Sequence, residues 1–440
     1  MMSIDAANSN ALLERASVTV TDDIKGVFRT GKRTYEQQFD ELYSQRLREL
    51  KPAAAEAAEQ RWPKVHATQS VLNVEGPEAT FIIGTVFIDS ASKPSTLQQV
   101  EVERWVSDKH GEKYRETADA VVFLEDESGR IRLVGPVVEK TVLASGIVAA
   151  VLGVETAEGD FEVADICFAP MAPQQPRPAL DEDKYVALVS GLGMTAERPM
   201  TLALQLLAET LCGGLGGGSS MQPLAARIAQ VVLAGDTMQL SEAPLGHAED
   251  ARANDRTAAA KLAAQVDVFL ADIAANVPVA IMPGAGDPAD SSLPQQPLPR
   301  SLLAQCSRYS GFSSLTNPAL LQLDGVHLLG TSGQNVDDLR RYSSESPGRL
   351  AAASLGWRHI APTAPDTLWC YPFTTHDPFV LHATPHVYFV GNQSQFDSVV
   401  TRGPDGQTTR VVMVPRFSDT SQIVLVNLRT LECSTLEISA

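Results

Sequence analysis

The run Ile228-Ala229-Gln230-Val231-Val232-Leu233-Ala234-Gly235-Asp236-Thr237-Met238-Gln239 decides the fold of the larger part of this chain. Apart from Gln230, its first seven residues are apolar, and a glycine closes them. Such a run is a strand buried on both faces. Tyr185–Ser190 upstream and Val277–Met282 downstream read the same way. Between them Met200–Leu211 reads as a helix, and Leu262, Val266, Phe269, Leu270 and Ile273 form the apolar stripe of another. Buried strands alternating with helices predict an α/β sheet covered on both faces. Further strands are expected at Val326–Leu329, His386–Val390, Thr409–Val414 and Ile423–Leu428, where the pairing turns antiparallel.

In such sheets function collects at the carboxyl ends of the strands. In order, those ends are Ser190-Gly191-Leu192-Gly193, Gly235–Gln239, Pro283-Gly284-Ala285-Gly286-Asp287-Pro288, Gly330-Thr331-Ser332-Gly333 and Gly391-Asn392-Gln393-Ser394. The series resembles the calcineurin-like metallophosphoesterases, whose ends run DxH, GDxxD, GNH(D/E), a lone His and GHxH. That pattern sets Asp, Asn and His around two metal ions, which clamp a phosphate and activate a water. Here the frame stays and the ligands are lost. Ser190 and Leu192 stand at DxH. Asp236 is kept in GDxxD, but Gln239 replaces the second Asp. Gly284 and Asp287 keep the ends of GNH(D/E), while Ala285 and Gly286 replace its Asn and His. Ser332 falls at the lone His, and Asn392 and Ser394 at GHxH. Asp236 and Asp287 are too few for a two-metal centre, so no metal, cofactor or catalytic residue is expected.

Nothing else rebuilds a site. His359, His376, His382 and His386 match neither HxH nor HExxH. Asp366 and His376 lack the GxSxG elbow of a serine hydrolase. The Gly-rich loop Cys212–Ser220 lacks the GK[ST] ending of a phosphate loop. Glu242–Thr257 reads as an acidic surface insertion.

Upstream of residue 180 the rhythm changes. Tyr35, Phe39, Leu42, Tyr43, Leu47 and Leu50 recur at helical spacing. With Thr34 as cap and Pro52 just past the end, they predict an amphipathic helix over 34–50. Five short runs rich in β-branched and aromatic residues follow: Phe81–Phe87, Ala120–Leu124, Ile131–Val134, Ile147–Val154 and Phe161–Phe168. Five strands in about a hundred residues suit a barrel of the OB type, with a small sandwich as the alternative. The Pro-rich stretch Ala169–Pro178 reads as an extended connector. The expected organisation is an N-terminal segment over 1–66, an OB-like barrel over 67–170, a linker over 171–179 and the α/β domain over 180–440.

The 440 residues carry a net charge of −18, with a pI of about 4.9. Nucleic-acid affinity comes largely from Lys and Arg neutralising phosphates, so DNA is expected to be met only indirectly. Trp105 and Tyr114, near Lys109, Lys113 and Arg115, are the best candidates for an OB-type stacking platform; solvated loop is the blander reading. The longest apolar stretch, Ala144–Val154, is broken by Ser145 and Gly146, far short of the ~20 residues of a membrane span. No membrane association is expected. The five scattered cysteines contain no CxxC pair and read as buried, reduced thiols.

A degenerate phosphoesterase domain behind an OB-like domain resembles the B-subunits of eukaryotic replicative DNA polymerases, and the delta branch in particular. The resemblance is carried by Tyr35–Phe39, Leu188–Gly193, Leu293–Leu298, Leu329–Val336, Arg358–Leu368, Cys370–Phe373, Pro385–Phe389 and Val426–Arg429. It implies an inactive phosphoesterase domain and a non-catalytic, nuclear scaffold for DNA replication and repair. Such a scaffold joins the Cys-rich C-terminal domain of the catalytic subunit to a third subunit that contacts the sliding clamp. The Pro-rich segments Leu293–Pro299 and Pro362–Phe373 suit contact surfaces, with Trp369, Tyr371 and Phe373 as anchors; rigid loops buried in their own domain are the equal alternative. Two other classes stay open: a metal-dependent phosphoesterase or nuclease with a rearranged site, and a single-stranded nucleic-acid-binding module.

Overall fold

The structure, a computed structural model, describes residues 13–22, 26–34, 36–74, 76–93, 113–115, 119–214, 221–239 and 249–438. Tyr35, Trp105, Lys109, residues 215–220 of the Gly-rich loop and residues 242–248 of the acidic stretch lie outside the described residues.

Strand β1 (Val20–Asp22) pairs antiparallel with Leu321–Leu323, far along the chain. Helix α1 spans Asp40–Arg61, later and longer than the expected 34–50, and Pro52 lies inside it. The alanines that follow Pro52 are strong helix formers. Ala54 and Ala58 are fully buried against the barrel, so packing carries the helix past one missing N–H. Thr34 is not its cap. Phe39 precedes the first turn, and the Thr34 backbone is held instead by the Tyr371 hydroxyl, at 3.1 Å from its N and 3.0 Å from its O.

The next strands are β2 (His66–Ala67), β3 (Thr80–Asp89), β4 (Val121–Glu125), β5 (Arg130–Val134), β6 (Val148–Glu155) and β7 (Phe161–Phe168), with a short helix α2 (Pro136–Lys140) after β5. The order β3-β4-β5-β7-β6 closes back on β3, which makes a five-stranded barrel and not a sandwich. Ile82, Val86, Leu124, Val151 and Phe161 fill its interior. Phe81, Ile83, Val148, Ala150 and Cys167 face outward and are covered by α1. Strands β3 and β6 are therefore apolar on both faces.

The remaining chain, together with β1, forms two facing six-stranded sheets. In the first, β8 (Tyr185–Val189), β9 (Ile228–Ala234), β10 (Val279–Met282) and β11 (Phe312–Ser314) run parallel, and β17 (Gln422–Asn427) and β18 (Cys433–Glu437) pair antiparallel at the β8 edge. In the second the order is β1, β12 (Ala319–Leu323), β13 (Val326–Thr331), β14 (Val387–Gln393), β16 (Thr408–Pro415) and β15 (Asp397–Arg402), with β13, β14 and β16 parallel. Val186, Leu188, Val232, Leu328, Phe389 and Val412 pack between the sheets. Helices α3 (Leu202–Cys212), α4 (Met221–Arg227) and α5 (Glu249–Ala274) cover the first sheet. Helices α6 (Gln334–Leu339) and α7 (Pro347–Gly356) cover the second. Residues 249–257, expected in a surface insertion, are the first turns of α5; acidic residues suit a helix N-terminus.

The connector after β7 is extended and also pinned. Gln407 Nε2 donates to Met171 O at 3.2 Å, and Gln174 Nε2 to Pro385 O at 3.0 Å. Leu339, Tyr342, Leu350 and Trp357 of the α/β domain complete the barrel core. Tyr114 is buried edge-on against Tyr342, their centroids 5.3 Å apart, and Lys113 Nζ donates to Arg340 O and Ser343 O. These members of the expected stacking platform are thus spent on joining the two domains.

Arg46 of α1 is wholly buried. Its Nε donates to Asp377 Oδ2 at 2.7 Å, Nη1 to Gly146 O at 3.2 Å and Pro362 O at 2.7 Å, and Nη2 to Ala364 O at 2.6 Å. One guanidinium so joins the helix, the barrel and the α/β domain. Gly146 sits at φ +85°, and a Cβ there would lie 1.9 Å from Pro362 O. Buried His359 donates from Nε2 to Asp377 Oδ2 at 2.9 Å and accepts the Ala361 N–H at Nδ1. A second ring proton would point at that N–H. Burial, with Arg46 nearby, pushes His359 down to about 4. Burial alone would raise Asp377, but Arg46 and His359 outweigh it and hold the carboxyl far below the usual range.

Replacing Arg46 by Ala strands a buried carboxylate and is expected to lower the unfolding free energy by about 3–5 kcal/mol in urea titrations. The unfolded chain protonates His359 near pH ~6.5, whereas the folded chain refuses that proton until pH falls to about 4. Stability therefore falls as pH drops through this window, and the depressed Asp377 adds loss in the same direction at lower pH. A series of urea midpoints from pH 7 to 4 checks this, and His359→Gln flattens the slope.

Candidate functional site

The carboxyl ends of β8, β9, β10, β13 and β14 meet at one place between the two sheets. Ser190 Oγ donates to Val414 O and Pro415 O at 3.1 and 3.0 Å and accepts the Asn392 N–H at 2.9 Å. Asn392, at φ +58°, donates from Nδ2 to Ser332 O at 2.8 Å. Ser332 in turn joins a buried amide network. Asn317 Nδ2 donates to Ser332 Oγ and to Gln295 Oε1, each at 2.7 Å, and Gln334 Nε2 donates to Gln295 Oε1 at 3.1 Å. Gln295 Nε2 closes the network onto Gly284 O at 3.0 Å.

The two retained acids clamp neighbouring loops onto each other. Asp236 Oδ1 accepts the Gly286 N–H at 2.8 Å, so an acid of the β9 loop holds the β10 loop. Asp287 does the reverse. Its Oδ1 accepts the Met238 N–H at 2.8 Å, and its Oδ2 accepts Gly284 N–H at 2.8 Å and Thr237 N–H at 3.4 Å. Gly284 has to be glycine, because a Cβ there would lie 2.3 Å from Asp236 Oδ1. Burial and the Asp236 charge push Asp287 up to about 7, against the pull of the three N–H groups. Burial also raises Asp236, with Gly286 N–H and Arg416 opposing it. Asp337 on α6 is pushed up to about 6 by burial, with Arg340 and Arg416 pulling it down. Arg416 Nε donates to Asn392 O at 3.3 Å. A fixed cation thus serves an acidic cluster at these strand ends. Among the described residues no group of three or more His, Cys, Asp or Glu side chains is arranged to hold a metal ion.

Ser190, Asp236, Gly286, Asp287, Ser332 and Asn392 are brought together, with Ala285 half-buried beside Gly286. Leu192 is turned into the apolar core beneath the helices, while Gln239 and Ser394 are exposed. Gln295, Asn317, Gln334, Asp337 and Arg416 belong to the cluster without matching any ligand motif. Of the aromatic anchors, Phe373 is 9% exposed and part of a core. Tyr371 is half-buried, edge-on to Phe373 at 5.1 Å and beneath Arg33. Trp369 is half-buried. Asp366 pairs with Lys93, and His376 is exposed, so they form no triad. All five cysteines are free thiols, and no helix among the described residues is long and apolar enough to cross a membrane.

A closed OB barrel, wrapped by a helix, is thus fused to a two-sheet α/β domain. The chain matches the B-subunit family of DNA polymerases alpha and epsilon over residues 186–398, and the DNA polymerase delta subunit OB-fold domain over residues 38–166, a span that includes α1. Curated relatives narrow this further. The chain is 40% identical to the DNA polymerase delta small subunit of Arabidopsis thaliana, over 92% of this chain and 91% of that protein. It is 35% identical to DNA polymerase delta subunit 2 of Drosophila melanogaster, over 96% and 98%, and 32% identical to the delta small subunit of Saccharomyces cerevisiae, over 92% and 90%. The chain belongs to the DNA polymerase delta small-subunit family.

Asp287→Ala leaves three backbone N–H groups without their acceptor. It is expected to cost about 3 kcal/mol of stability, read by chemical denaturation. Gln239→Ala, at an exposed position, is expected to change the same midpoint by less than about 0.5 kcal/mol.

Proposed function

We propose that the chain is the non-catalytic accessory subunit of a DNA polymerase delta complex, acting in the nucleus during DNA replication and repair. In this reading it bridges the Cys-rich C-terminal domain of the catalytic subunit to a third subunit, and meets DNA only through them. One observation carries the non-catalytic part: both acids surviving from the metallophosphoesterase pattern are engaged by backbone N–H groups. Carboxylates held this way shape loops, and the neighbouring positions offer Ser, Asn, Ala and Gly in place of His and Asp. The long matches to delta small subunits support the assembly role. Half-buried Trp369 and Tyr371 keep surface for a partner, whereas Phe373 serves the core.

Capture of the tagged full chain from extract is expected to bring down a large polymerase subunit; its absence sinks the assembly reading. The purified chain with Mn²⁺ is expected to leave a generic phosphodiester intact, and neither Mn²⁺ nor EDTA should move its melting temperature. Turnover abolished by Asp236→Ala would overturn the non-catalytic reading.

A further inference from the structure

A serine or threonine followed at once by proline, with a basic residue two places beyond, is the pattern by which proline-directed kinases select their acceptor. In this chain a proline follows such a hydroxyl residue at Ser346-Pro347-Gly348-Arg349 and at Thr384-Pro385-His386-Val387 and nowhere else. Thr384 is 4% exposed, its hydroxyl donates to Ala172 O, and Val387 stands where the basic residue belongs. Ser346 is exposed, and Ser343–Glu345 before it belong to no helix or strand. Its backbone is extended, φ −62° and ψ +149°, immediately ahead of the ten-residue helix α7. Arg349 completes the pattern. Its side chain is 72% exposed and its guanidinium lies 3.3 Å from the Glu345 carboxylate, a surface pair that opens at little cost.

We propose that Ser346 is a phosphorylation site for a proline-directed serine/threonine kinase that uses ATP. Ser346 Oγ forms a bond to the γ-phosphorus as the bond from that phosphorus to ADP breaks, and the hydroxyl proton passes to a base of the kinase. The first turn of α7 has to open for Pro347–Arg349 to lie extended in a kinase groove. Ser346 holds that turn by two bonds. Its Oγ accepts the Arg349 N–H at 3.4 Å, near the long end of the hydrogen-bond range, and its carbonyl accepts the Leu350 N–H at 3.0 Å. The leading N–H groups of a helix have no intrahelical acceptor to lose. The product suits its place. A phosphoserine carries about −1.5 to −2 charges, and a helix start favours an anion. The new charge falls between Tyr342 and Leu350, two of the side chains that complete the barrel interior. Beside it, Ser343, Ser344 and Glu345 line a cavity of about 680 Å³ whose other wall is β4, β5 and α2 of the barrel. A phosphate on Ser346 therefore marks the face where barrel and α/β domain meet. The site is separate from the strand-end cluster and does not depend on the assembly reading.

The purified full chain, incubated with a cyclin-dependent kinase, Mg²⁺ and ATP and then mapped by mass spectrometry, tests the proposal. Phosphate on Ser346 of the folded chain is expected, and Ser346→Ala should abolish it. Pro347→Ala keeps the acceptor hydroxyl and puts a strong helix former in the first turn. It should leave the chain folded, as its melting curve will show, while lowering incorporation at Ser346 by roughly tenfold or more. Arg349→Ala, at an exposed side chain, should lower the rate roughly tenfold. No phosphate on Ser346, equal incorporation into Pro347→Ala, or incorporation only into heat-unfolded chain overturns the proposal.

Discussion

The buried guanidinium of Arg46 is the constraint on which the arrangement of this molecule rests. A charge with no exposure to water has to find acceptors for its N–H groups inside the protein. Here they come from three separate parts of the chain: a carbonyl at the barrel turn, two carbonyls in the Pro362–Ala364 loop and the Asp377 carboxylate. Shifting the barrel against the α/β domain would strand several of them at once. The neutral tautomer of His359 and the bare Cα of Gly146 follow from the same geometry, one by donating to Asp377 Oδ2 beside Arg46 Nε and the other by letting two backbones touch.

At the strand ends the physics runs the other way. The loops that meet there are shaped by amides, hydroxyls and two carboxylates. A backbone N–H is a weaker and more directional partner than a divalent ion, so more of them are needed. The network accordingly spreads over Gln295, Asn317, Ser332, Gln334 and Asn392.

Much of the fold was legible because its central strands are apolar on both faces. The runs at 81–87, 147–154 and 228–234 owe their continuity to neighbours on each side, α1 and the barrel interior in one case, helices and the second sheet in the other. Strands β12, β15 and β18 were not legible. They are short or lie at sheet edges, and Ala319–Leu323 alternates buried and half-buried residues. Helix α7 carried a start signal, Ser346 as cap and Pro347 in the first turn, but its apolar stripe is short. In the strand-end cluster the glycines and acids stood in a recognisable order. The amide network did not, because Gln295, Asn317 and Gln334 come from separate segments and share no local spacing. The extra length of α1 was hidden by Pro52, whose usual meaning as a helix stop is overridden by alanines packed on the barrel.

The placement of β1 against Leu321–Leu323 has a consequence for synthesis. Domains tend to fold from the N-terminus as the chain emerges from the ribosome, yet here the earliest described strand has no sheet to join until β12 has been made. The barrel, too, emerges before Leu339, Tyr342, Leu350 and Trp357, which finish its interior, and before Asp377, which answers Arg46. The nascent barrel therefore waits, with apolar surface and a buried-to-be cation still in water, for most of the remaining chain. Truncation after the barrel would remove the groups that complete it, which makes the two domains one unit in biosynthesis as well as in the finished fold.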